Sequence, residues 1–159
     1  MKSVSMLSVL MLGFAGPVPA GAPLSCHVYA VSDGDTLKAR CGEGDEIKVR
    51  LAEIDAPESG QPFGKVAKRQ LSDLVYGRDV SLEVVDIDRY GRRVAIVSVG
   101  DVNINREMLL LGMGWCYTRY AKHSWCAESE REAKAAGIGL WSGPSPVPPW
   151  EYRRQRKKS

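Results

Sequence analysis

The segment "CHVYAVSDGDTLKARC", Cys26 to Cys41, constrains the fold more than any other in the chain. Two runs of strand-forming residues flank Asp33-Gly34, a dipeptide suited to a tight hairpin turn with positive φ. With the turn there, residues whose numbers sum to 67 face each other, and Cys26 faces Cys41. Only two other cysteines exist, Cys116 and Cys126, so the expected disulfides are Cys26–Cys41 and Cys116–Cys126. A four-cysteine zinc site is the rival reading. It is disfavoured because no C-x₂-C pair occurs anywhere.

Disulfides call for an oxidising compartment, and the N-terminus agrees. Lys2 precedes an apolar run from Val4 to Ala15, and "GPVPAGA" follows with small residues Val18 and Ala20 before a cut. Residues 1–20 are thus expected to be a cleaved signal peptide, with a periplasmic or secreted mature protein that has no stable membrane association. The run is short for a bilayer span, although an uncleaved anchor is the alternative. A lipoprotein cut before Cys26 is set aside, since Pro23 stands where an aliphatic residue is needed.

The chain beyond the hairpin alternates strand and helix signals. "EIKVRL" from Glu46 sets Ile47, Val49 and Leu51 against Lys48 and Arg50, the period of a half-buried strand. Ala67, Leu71, Leu74 and Val75 recur at helical spacing before Gly77. Two strands follow around "DRYGR", the second apolar on both faces. "NINREMLLLGMG" and "CAESEREAKAAG" read as two further helices. Five strands and about three helices, with the first three strands consecutive, predict an α+β chain built on a five-stranded OB-fold barrel.

From Ser142, "SGPSPVPPW" is too rich in proline to be expected to pack regularly, so the domain is drawn over residues 21–141. Residues 142–159 are then a proline-rich linker and a basic tail. That tail, "EYRRQRKKS", carries five basic residues and one acidic, whereas the whole chain is only +3. The body is therefore slightly acidic. The tail suits a polyanion, or is simply a solvated end. Phosphate cradles of the G-x-x-x-x-G-K and G-x-G-x-x-G kinds are absent, which removes those nucleotide-binding classes.

Candidate chemistry lies in three separated places. Asp35 closes "DGDT", Asp55 and Glu58 follow the third strand in "VRLAEIDAPESG", and Arg92 sits in "DRYGRR". Each alone is an ordinary turn signal. Together, two oxygen-rich turns and the arginines Arg50 and Arg92 are what phosphodiester hydrolysis at a hard cation would use. Strand alternation does not bring Arg50 and Asp55 to one side, so a bend near Ala52 to Ile54 is required. His27 and His123 are too far apart in sequence to propose as a pair. Trp115, Trp125 and Trp150 have no assigned role.

In this order, "SDGDT", "VRLAEIDAPE", "DRYGRR", "INREMLLLGMGW" and "GLW" resemble the thermonuclease family, over about Cys26 to Trp141. The resemblance implies an OB-fold, Ca²⁺-dependent nuclease that cuts DNA and RNA to 3′-phosphate ends; separately, the chain is expected to be a monomer. By the same resemblance Asp35, Asp55 and the Ala56 carbonyl hold the metal, Glu58 activates water, and Arg50 and Arg92 hold the scissile phosphate. Ala56 replaces a frequent threonine, which the backbone ligand tolerates. Arg89, Tyr90 and Tyr120 fall where the family contacts nucleotide, and Thr118 stands where its best-known member has a second tyrosine. The alternatives from other classes are a non-catalytic OB-fold nucleic-acid-binding module and a disulfide-stapled interaction domain. Neither has a chemical need for Arg50, Asp55, Glu58, Arg92 and Asp35 together.

Overall fold

Alternating apolar residues turn the first half of the chain into a meander of β1 (Leu24–Asp33), β2 (Thr36–Cys41) and β3 (Asp45–Leu51). This computed structural model describes residues 22–158; the expected signal peptide lies outside the described residues. A short β4 (Ile54–Asp55) leads to α1 (Gly64–Val75), and then to the hairpin of β5 (Asp79–Ile87) and β6 (Arg93–Val99). Next come β7 (Val102–Asn103), α2 (Ile104–Leu110), β8 (Trp115–Cys116) and α3 (Ser124–Ala136). A 3₁₀ turn over Gly139–Ser142 and α4 (Pro149–Arg156) complete the described chain.

The strands run in the order β3-β2-β1-β5-β6-β7, and β3 also pairs with β6. That parallel seam, Val49 to Arg93 and Leu51 to Ala95, closes β1, β2, β3, β5 and β6 into a five-stranded barrel. The other pairings are antiparallel. This is the expected OB-fold. Val28, Leu37, Val49, Leu82 and Val97 fill the barrel with no exposed surface, and Ala67, Leu71 and Val75 of α1 cover one opening. Each fully buried aliphatic side chain of this size contributes about 1.5–3 kcal/mol relative to exposure. Ala95 and Val97 of β6 belong to the core, Ile96 is buried as well and α2 packs against the strand, which explains a sequence apolar on both faces.

Both disulfides form in the expected pairing, Cys26–Cys41 and Cys116–Cys126, leaving no free thiolate for zinc among the described residues. The hairpin turn itself sits one residue later than Asp33-Gly34: Asp33 pairs with Thr36, so Gly34 and Asp35 form the turn. Two register shifts, between Val28 and Ala30 and between Val31 and Asp33, restore the facing of Cys26 and Cys41. Such bulges add the twist a closing barrel needs.

The segment from Ser142 is a second difference. It does not trail away: Pro149 opens α4, where its missing N–H costs nothing. The Gln61 amide donates to Val147 O at 2.9 Å, and Trp150 stacks on Tyr117 with ring centroids 5.4 Å apart. The basic tail is thereby a helix laid on the domain. Among the described residues no helix is long and apolar enough to cross a membrane.

Candidate active site

The required bend falls at Ala52 and Glu53, with Glu53 in the left-handed region at φ 67°. A glutamate is not at ease there, so its neighbours must hold it. Tyr117 N donates to the Glu53 carbonyl at 2.7 Å, and the Glu53 carboxylate takes His123 N at 3.2 Å and His123 Nδ1 at 2.7 Å. From the opposite side, the buried Asn105 amide donates to Ala52 O and Ala95 O at 3.0 Å and accepts from Val97 N at 2.9 Å. The bend is clamped between Asn105 of α2 and the segment that leads into α3.

Arg50 spans the inside of this bend. Its guanidinium donates to Leu51 O at 3.1 Å, Ile54 O at 3.0 Å and Asp55 Oδ1 at 3.1 Å, and lies 3.3 Å from Asp35 Oδ2. Asp35 arrives from the β1–β2 turn, accepting from Thr36 Oγ1 at 3.0 Å and from Ala56 N at 3.0 Å. Asp35, Asp55 and Ala56 are therefore neighbours. Asp55 is 1% exposed and Asp35 7%. Burial pushes the Asp55 carboxyl above its ordinary value and Asp35 adds to this, while Arg153 and Arg50 oppose it. Burial pulls the Arg50 guanidinium down, but the Asp35 and Asp55 charges outweigh it and the net shift is upward. Asp33 is pushed up to about 6 by burial and by the Asp35 charge.

Glu58 follows Pro57 on a turn tied to the start of α1. Its backbone N–H donates to Gln61 Oε1 at 2.9 Å, and its carbonyl accepts from Gln61 N at 2.8 Å. Two glycines make this packing possible. A Cβ at Gly64 would fall on the Glu58 carbonyl, and one at Gly34 would lie 2.7 Å from Ala67 Cβ and 2.8 Å from Ala56 Cβ. Gly34 is not among the positive-φ glycines, so close approach, not turn geometry, demands it. We expect Gly34→Ala to destabilise the protein by about 1–3 kcal/mol through overpacking at the Ala56 turn. Urea unfolding measures this, and an unchanged midpoint would show that the contact yields freely.

The β5–β6 turn holds the remaining arginine. Arg92 donates from Nε to Asp88 Oδ2 at 2.7 Å and from its backbone N–H to Asp88 Oδ1 at 3.0 Å. The β3–β6 seam pairs Arg50 with Val94, and alternation carried back from Val94 puts Arg92 on the same side of the sheet as Arg50. Among the described residues Arg92 bonds Asp88 and not Asp35, Asp55 or Glu58. Tyr90 is 68% exposed, with the Arg89 and Arg92 guanidiniums over its ring. Tyr120, 56% exposed, stands edge-on to Tyr117.

Two residues at the site were missed from sequence, Arg153 and Gln61. Arg153 of α4 donates from Nη2 to Asp55 Oδ2 at 2.7 Å, and from Nη1 to Glu58 Oε1 at 2.7 Å and Asp55 Oδ1 at 3.3 Å. Burial acts against its charge, yet these bonds hold its pKa above the ordinary arginine value. Inside a run of basic residues, nothing in sequence distinguished it. Gln61 was also missed, because its side chain joins the Glu58 turn to Val147, 86 residues further on, a link that no local pattern announces.

A family model described as "Staphylococcal nuclease homologue" matches residues 48–143, which contain the bend, Glu58 and Arg92. The chain belongs to the staphylococcal nuclease family. This nuclease is 36% identical to "Micrococcal nuclease" of Shigella flexneri, with 100% of this chain and 95% of the relative covered. It is 46% identical to an "Uncharacterized endonuclease" of Haemophilus influenzae, over 84% of this chain and 75% of that one. A further "Uncharacterized endonuclease", from Escherichia coli O157:H7, is 32% identical over 94% of this chain and 97% of its own. Nucleases of the staphylococcal family are metal-dependent hydrolases acting on nucleic acid.

The donors present in this nuclease fit a hard cation. Asp35 and Asp55 are adjacent carboxylates, and the Ala56 backbone beside them is fixed by Asp35. Oxygen donors of this kind suit Ca²⁺ or Mg²⁺. Among the described residues no group of three or more His, Cys, Asp or Glu side chains gathers as a metal cluster, so water would have to complete the shell.

Proposed function

We propose that this nuclease hydrolyses DNA and RNA phosphodiesters with Ca²⁺ and leaves 3′-phosphate ends. The observation that carries the reading is the convergence of Arg50, Asp35, Asp55, Ala56 and Glu58 on one clamped bend. Asp35, Asp55 and the Ala56 carbonyl are the groups to hold the ion, which when bound supplies positive charge to polarise the phosphate. Glu58 accepts the proton of the attacking water. Arg50 and Arg92 donate to the phosphate oxygens as charge builds on them, where fixed donors are worth most. Arg89, Tyr90 and Tyr120 line the substrate path, with Tyr90 exposed enough to stack on a base.

We read residues 1–20 as a cleaved leader and the mature protein from Gly21 as a monomer exported to the periplasm or beyond; the two disulfides support the oxidising compartment. The unit carrying the chemistry is residues 21–141. The deciding assay incubates the mature protein with single-stranded DNA, duplex DNA and RNA, in Ca²⁺ and in chelator. We expect cleavage of all three with Ca²⁺, its loss in chelator and its return on adding Ca²⁺. Undiminished cutting in chelator would overturn the metal-dependent reading, and 5′-phosphate products would overturn the stated bond cleavage.

A further inference from the structure

Arg153 stands where the chemistry has no evident use for it. A guanidinium bonded to both Asp55 and Glu58 neutralises an expected ligand and the expected proton acceptor together. Its position is not that of a stray surface side chain. Three separate contacts seat α4 before Arg153 is reached: Val147 O on the Gln61 amide, Trp150 stacked on Tyr117 at an interplanar angle of 9°, and Tyr152 Oη against Gly60, where a Cβ would lie 3.0 Å away. The helix is aimed at the carboxylates.

Arg153 brings positive charge to Asp55, the carboxylate that a cation would also need, so the two repel one another there. Both Asp55 oxygens already accept from guanidiniums, at 2.7–3.3 Å, and a calcium ligand must approach to about 2.3–2.6 Å. At 39% exposure, the Arg153 side chain has a route out to solvent.

We propose that Arg153 is the internal counter-ion of the active-site carboxylates, and that it sets the cation requirement of this nuclease by competing with the ion for them. The proposal rests on reading Asp35 and Asp55 as cation ligands. While Arg153 is docked, Glu58 Oε1 is held by it and Asp55 is shielded. Cation entry expels the guanidinium, frees Glu58 and loosens α4. By linkage the effect is reciprocal: docking of α4 weakens cation binding by the factor by which the cation weakens docking. Arg156 and Lys157, which share a cleft with Glu58 and Arg153, remain nearby to meet a flanking phosphate.

The test uses the mature protein and two variants, Arg153→Gln and Arg153→Lys. Calorimetric titration with Ca²⁺ should show Arg153→Gln binding about tenfold more tightly than wild type, within the usual range of coupling between sites. Arg153→Lys, which keeps the charge but not the two-carboxylate fork, should fall between them. In the wild type, Ca²⁺ should speed amide hydrogen exchange across residues 149–156. Equal Ca²⁺ affinity in wild type and Arg153→Gln, or α4 protection untouched while Ca²⁺ binds, would overturn the competition. If no protein binds Ca²⁺ and cleavage continues in chelator, the cation site itself is wrong and the proposal is overturned with it.

Discussion

Glu58→Gln is expected to lower single-turnover cleavage by about 10²- to 10⁴-fold at saturating Ca²⁺, the range a general base contributes. Glutamine keeps the length and shape of the side chain, and the backbone N–H bond to Gln61 at 2.9 Å does not depend on the carboxylate. The turn past Pro57 therefore survives; the ability to take a proton is lost together with the Arg153 ion pair, whose effect on cation binding is removed from the comparison by saturating Ca²⁺. Substrate affinity should stay within about threefold, because a group that acts only as the reaction proceeds changes turnover and not ground-state binding. Fluorescence anisotropy with a labelled oligonucleotide in Ca²⁺ at low temperature reads the affinity, and quenched-flow cleavage reads the rate. A rate within about fivefold of wild type would remove Glu58 from the mechanism. Equal losses in affinity and rate would reassign it to substrate binding.

Arg92→Lys should cost about 10²- to 10³-fold in kcat/KM, the penalty typical of removing one fixed donor from a developing anion. The structure makes this a demanding substitution. Asp88 fixes Arg92 through both the Nε and the backbone N–H, an anchor in which neither Nη group takes part. A lysine could still pair with Asp88, but its single ammonium cannot do so and also grip phosphate at two points. Asp88→Asn separates positioning from charge. It keeps Arg92 while weakening its anchor, so it should lose less than Arg92→Lys and recover partly at high substrate. Steady-state kinetics on a short DNA strand decides. A loss below about fivefold for Arg92→Lys would mean that Arg92 only supports the β5–β6 turn.

What was legible in the sequence and what was not divide along physical lines. The facing of Cys26 and Cys41 could be read because hairpin register is arithmetic, and the displaced turn is compensated by two bulges before the cysteines are reached. The bend between Arg50 and Asp55 was legible as a parity problem. Its carrier was not, because Glu53 adopts a left-handed backbone only by virtue of distant partners, Tyr117 and His123. Local propensity has no access to such partners. The same holds for α4. Pro149 reads locally as a breaker, yet at the first helical position it is a start, and only Tyr117, Gln61 and Gly60 give the helix somewhere to sit.

The parallel seam between β3 and β6 also governs when activity can arise as the chain folds. Hairpins β1–β2 and β5–β6 join near neighbours and can zip early, but the seam joins residues 49–51 to residues 93–95 and must wait for the intervening chain to collapse. Arg50 lies on one lip of the seam and Arg92 just before the other. A chain with each hairpin formed and the seam still open holds the two guanidiniums on separate pieces, and so has no phosphate grip. Recovery of nuclease activity during refolding should therefore trail the recovery of hairpin secondary structure, reporting closure of the barrel and nothing earlier.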